Sequence, residues 1–173
     1  MFRLKTVDPQ EASGALAEAY AVFPPQIGVP APMVMLSASP ALALRQVEFI
    51  KYFIQHPTLS FKLLALIRYL VAADNGFSFC IGLNGNMLKM TGLTDVELEA
   101  LHEDPSQAPL PEKEKALLLL VLKTLRASDQ VTDADLEALR ALGWADSDIM
   151  DAMWMGANMI GNSRLFGALV KPS

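Results

Sequence analysis

At 173 residues the chain is long enough to bury one sizeable core. It is 52% apolar and 19% charged, against roughly 45–50% and about 25% in average soluble domains, so part of its apolar surface is expected to be covered by another copy of the chain. A net charge of −5 with no basic tract argues against a nucleic-acid partner, which needs a cationic footprint.

No membrane span is expected either, because a crossing helix needs about 20 predominantly apolar residues. The best runs, 63–73 and 116–122, are shorter, and the first contains Arg68. Residues 1–8 carry charges and no apolar run, so no secretory leader is expected. One cysteine cannot close an internal disulfide, and the expected compartment is the cytoplasm. The chain is read as a single domain, 1–173, whose first 32 residues are an N-terminal helix and a proline-rich connection.

In chain order, Asp8, Pro9 and Glu11 predict a capped helix start, with Ala12, Ala15, Leu16, Ala19 and Tyr20 as its apolar stripe over 8–22. Four prolines make 23–32 an extended connection. A short helical piece follows at 33–37. Ser39-Pro40 opens the next helix, which ends at His56-Pro57. Ser60 caps a helix running to about Asn75, apolar nearly all round, as a central helix should be. Gly76 closes it, and the segment holding Cys80 begins another that ends at Gly92. Thr94 to Glu97 is a capping box for a short helix through Leu101. A proline-containing loop leads to Pro111-Glu112 and the helix after it. Thr132 to Asp135 caps a helix that Gly143 stops, and Asp146 caps the last, through about Leu169. No stretch alternates as a half-buried strand does, so the predicted class is all-α.

The run 59–92 carries a resemblance. Leu59-Ser60 opens a leucine-rich helix, Ala72-Ala73-Asp74-Asn75-Gly76 ends it, Phe79-Cys80-Ile81 starts the next, and Gly92-Leu93-Thr94-Asp95 follows. Together with Val131 to Leu136, Gly143-Trp144 and Asn162 to Leu165, these cues resemble the alkylhydroperoxidase D-like (carboxymuconolactone decarboxylase) family, in its peroxidase-related branch. The resemblance implies an oligomeric all-helical bundle. In the redox-active branch it implies a Cys-x-x-Cys pair at a helix N-terminus, a histidine four residues on and a glutamate on the preceding helix, which together reduce peroxides. Mapped onto this chain, the second cysteine is Cys80, the first is Phe77, the histidine is Asn84 and the glutamate, by spacing, is Ala65. The motif is degenerate. A sulfenic acid on Cys80 would need an outside thiol to resolve it.

Cys80 is the candidate nucleophile and Asn84 the candidate orienting group. Arg68, three residues past Ala65 on the same helix face, is the candidate stabiliser of a thiolate. Two readings stay open. In one, Cys80 acts on a peroxide or with a thiol reductant. In the other, it is a small core hydrophobe in an oligomeric scaffold or small-molecule-binding protein without peroxidase activity. His56 and His102 read as helix-end and surface residues. His102 beside Glu103 does not make a metal site, and no cofactor fingerprint is present. Met150, Met153, Met155 and Met159 with Trp154 form a soft stripe suited to packing or a subunit contact. Gly82, Gly85, Gly156 and Gly161 are expected to permit close helix approach.

Overall fold

The structure, a computed structural model, describes residues 2–171. The α-helices are α1 (Gly14–Tyr20), α2 (Ala31–Leu36), α3 (Pro40–Ile54), α4 (Phe61–Asp74), α5 (Ser78–Lys89), α6 (Asp95–Glu103), α7 (Glu112–Arg126), α8 (Asp133–Ala141) and α9 (Asp146–Leu169). No strand occurs among the described residues beyond one isolated bridge between Phe2 and Val170. The class is all-α. The chain divides into two compact units, one holding residues up to His56 and from Arg164 onward, the other Pro57–Ser163.

The first unit is built on α1, α2 and α3, with Leu16, Ala19, Tyr20, Met33, Ala43 and Val47 as its core. Its first helix is shorter than the sequence suggests. Asp8 accepts from the Gln10 amide at 2.9 Å, and the Glu11 amide donates to the Asp8 carbonyl at 2.9 Å, which makes a turn. Gly14 then sits at φ +56, outside the right-handed helical region, so residues 9–13 cannot run on into α1. The proline segment is also corrected. The Ile27 and Gly28 amides both donate to the Pro24 carbonyl, at 2.9 and 3.0 Å. Gly28 at φ +69 turns the chain where an extended run was expected.

The second unit is organised around α4. Leu63, Leu64, Ala65, Leu66, Ile67, Leu70 and Val71 are all at most 3% exposed, so the helix is enclosed on nearly every side. Ser60 caps it by accepting from the Leu63 amide at 3.1 Å. At the far end the Phe77 amide reaches the Ala72 carbonyl at 2.8 Å and the Gly76 amide the Ala73 carbonyl at 3.1 Å, with Gly76 at φ +62. That is a Schellman ending, and it turns the chain straight into α5. The same pair of bonds, Trp144 to Leu139 and Gly143 to Arg140, closes α8.

Capping boxes at Thr94–Glu97 and Thr132–Asp135 open α6 and α8. The last helix begins at Asp146 itself, so its cap lies one residue earlier than expected. Ala145 stands at the cap and donates its amide to Asp148 at 3.1 Å. Asp146, within the helix, takes two bonds from Arg140 at 2.7 and 3.1 Å. Against α4 pack α5, α6 and α7. At Gly156 the backbone of α9 comes so close that an added Cβ would meet Leu125 Cδ1 at 2.6 Å and Val121 Cγ1 at 3.0 Å.

Candidate functional site

The α4–α5 turn places Cys80 in the first turn of α5, with Asn84 one turn later on the same face. Arg68 projects from α4 toward that face. Its Nε donates to Asn84 Oδ1 at 2.7 Å, and Asn84 Nδ2 donates to the Cys80 carbonyl at 2.9 Å. Asn84 is 2% exposed and Cys80 7%. The amide is therefore held at both ends inside the unit, which fixes which end faces the guanidinium. Its donor goes to the helix backbone, so among the bonds Asn84 makes none is to the sulfur.

The electrostatics follow from this burial. Desolvation pushes the Cys80 thiol up to about 11, with Arg68 pulling it back part of the way. That rise disfavours the thiolate by roughly 3 kcal/mol. The α5 N-terminus offers about 0.3–1 kcal/mol in the other direction. Burial wins, and the group is a thiol at neutral pH. Burial also lowers the Arg68 guanidinium to about 10, opposed by its interaction with Cys80, which leaves it charged at neutral pH.

The two positions expected from the resemblance to match the first cysteine and the glutamate hold apolar side chains. Phe77 is 5% exposed, with its ring 6.4 Å from that of Phe79, and Ala65 is wholly buried. His102 is engaged elsewhere, with Nε2 at 3.1 Å from Asp74. Asp74 also takes two bonds from Arg126, at 2.7 and 2.9 Å, so α4, α6 and α7 are tied together at that point. His56 stacks on Phe53 and lies edge-on to Tyr52. Among the described residues no cluster of three or more His, Cys, Asp or Glu is placed to hold a metal ion.

The other face of α5 was not singled out by sequence reasoning. Tyr69, Gly82, Gly85, Asn86, Lys89 and Glu99 line a shallow cleft of about 200 Å³. The absent side chain at Gly85 admits the Tyr69 ring, 3.5 Å from where its Cβ would be. Burial, then the carboxylates of Glu99 and Asp95, push the Tyr69 hydroxyl up from its ordinary value. Lys89 is paired with Asp95 at 3.0 Å. The one signal in the sequence was the spacing of Gly82 and Gly85, which hollows one face of a helix. Cys80, Asn84 and Arg68 are not in the lining, so α5 separates the two places.

Comparison with protein-family models and with curated proteins finds no match. Comparison with solved structures does. One similar structure is an alkylhydroperoxidase AhpD core, an uncharacterized peroxidase-related protein from Ralstonia eutropha JMP134. Its TM-score is 0.80 at 19% identity, over 99% of this chain and 92% of that one. An uncharacterized peroxidase-related protein from Silicibacter sp. TM1040 has a TM-score of 0.75 at 20% identity, over 97% of this chain and 92% of that one. The fold of this chain is that of the alkylhydroperoxidase AhpD core.

Proposed function

We propose that this protein is an alkylhydroperoxidase D-like relative in which the dithiol centre has become a small-molecule-binding site that does not turn over peroxide. The observation that carries this reading is the buried chain from Arg68 through Asn84 to the Cys80 backbone, beside a thiol that burial keeps protonated. A peroxidatic sulfur needs to be a thiolate and needs access. A dithiol cycle further needs a second sulfur, and position 77 is a phenylalanine. With one free cysteine and no second thiol to protect, a reducing compartment such as the cytoplasm suits the chain.

A second reading rests on the pull of Arg68 on the thiolate. In it the Cys80 thiolate attacks a peroxide oxygen, the O–O bond breaks, and the alcohol leaves after taking up a proton. Cys80 is left as a sulfenic acid. One outside thiol then forms a mixed disulfide with loss of water, and a second frees the sulfur. Brief exposure to peroxide with a sulfenic-acid trap, read by mass spectrometry, separates the two. The binding reading expects Cys80 to be labelled only after unfolding. Rapid labelling of the folded protein would overturn it in favour of the one-cysteine enzyme.

A further inference from the structure

The charge on Arg68 is unanswered. Among the described residues its guanidinium makes one hydrogen bond, through Nε to the neutral Asn84, and its one electrostatic partner is Cys80. Among the described residues no carboxylate forms an ion pair with it, although the side chain is mostly buried. Such a charge is costly unless something pairs with it, and even the half-exposed Arg126 and Arg140 are paired, the first with Asp74 and the second with Asp146 and Glu137. The two terminal amino groups are not sealed in. Among the described residues the buried polar atoms without a partner come down to the Tyr20 hydroxyl, so Arg68 Nη1 and Nη2 keep contact with solvent. Asn84, locked at its other end to the Cys80 carbonyl, sets the plane of the fork.

We propose that the two terminal amino groups of Arg68 bind the carboxylate of a small organic acid, held in the plane that Asn84 fixes. This rests on the binding reading above and names its ligand class. A flat, singly charged, two-oxygen group matches a guanidinium edge through two parallel N–H to O bonds. A phosphate dianion fits less well, since one guanidinium neutralises half of it and the chain carries a net charge of −5.

The test is a titration of the full-length, nitrogen-15-labelled protein at constant ionic strength with acetate, benzoate, neutral benzamide and inorganic phosphate. The Arg68 Nε–H and Asn84 side-chain amide signals are followed by NMR. Acetate or benzoate should move both signals and saturate, benzamide should not, and phosphate should bind about tenfold more weakly. Arg68→Gln should abolish the response at Asn84. If that variant does not fold, Asn84→Asp serves instead: it hands Arg68 a carboxylate from within the chain and should weaken the acids about tenfold or more. No response to either acid, an equal response to benzamide, tighter binding of phosphate, or wild-type affinity in Asn84→Asp would each overturn the proposal. Sulfenic-acid trapping on the same samples keeps the two ideas apart. Rapid oxidation of Cys80 with carboxylate binding intact sinks the binding-only reading, whereas slow oxidation with no response to the acids sinks the carboxylate site alone.

Discussion

Cys80, Asn84 and Arg68 were all legible in the sequence as neighbours, the first two from one helical turn and the third from its spacing on the preceding helix. What each does was less legible. An asparagine side chain has a donor end and an acceptor end, and sequence does not say which neighbour takes which. In the structure the acceptor takes Arg68 and the donor takes the Cys80 carbonyl, so the amide ties α5 to α4. The state of the thiol likewise depends on enclosure. Because burial raises its pKa to about 11, alkylation of folded protein by iodoacetamide should accelerate about tenfold per pH unit and continue to rise toward pH 11. A free thiol levels off near its ordinary pKa of about 8.5. The linkage has a matching sign: the folded state holds this proton more tightly than the unfolded chain, so its contribution to stability is complete below about pH 8.5 and is lost as pH rises through about 11. A mass-spectrometric rate profile that is flat above pH 9 would contradict the burial of the sulfur.

At the scale of elements, chain punctuation accounts for most of what was readable. Ser60, Thr94 and Thr132 cap where their side chains suggest, and Gly76, Gly92 and Gly143 end helices with positive φ. The errors lie where a strong local signal met a stronger competitor. Asp8 and Pro9 suggest a helix start, but Gly14 breaks the run. Asp146 suggests a cap, but Arg140 takes its carboxylate. The four singled-out glycines divide in a way that only packing reveals: a Cβ at Gly85 or Gly156 would touch neighbours, whereas one at Gly82 or Gly161 would meet nothing within 4 Å. Replacing glycine by alanine within a helix ordinarily gains about 1 kcal/mol. At Gly156 the new methyl would press on Leu125 and on the stiff, wholly buried Val121, a clash of about 1–3 kcal/mol. Gly156→Ala should therefore lower stability by about 1 kcal/mol. Gly167→Ala on the same helix, with open space around it, should raise it by about 0.5–1 kcal/mol. Urea denaturation of both variants checks the contrast, and equal gains would show that α9 does not approach α7 so closely.

At the scale of the whole molecule, the greasy composition finds two destinations. Much of it fills the core around α4. Some of it stays outside. The methionine stripe splits, with Met155 and Met159 buried at 5% and 8% while Met150 and Trp154 stand 62% and 58% exposed. Met150, Trp154, Ala157 and Gly161 are all exposed and follow one another at helical spacing along α9. An uncharged face with an exposed tryptophan is what a subunit contact uses, and the protein is accordingly expected to be at least dimeric. Light scattering should give a multiple of the 18.8 kDa chain mass at micromolar concentration, and Trp154→Glu should shift it toward the monomer without loss of helix by circular dichroism. A wild-type monomer would remove this expectation. Among the described residues no helix is long and apolar enough to cross a membrane.

The sequence alone determined the helical class, most helix ends and the neighbourhood of the lone sulfur, because caps, glycine stops and apolar periodicity act over a few residues and need no distant partner. Only the tertiary structure decided which way Asn84 faces, that the thiol is held protonated, that no carboxylate among the described residues pairs with Arg68, and which half of the methionine stripe is enclosed. Those depend on desolvation and on contacts between residues far apart in the chain, which local pattern does not encode.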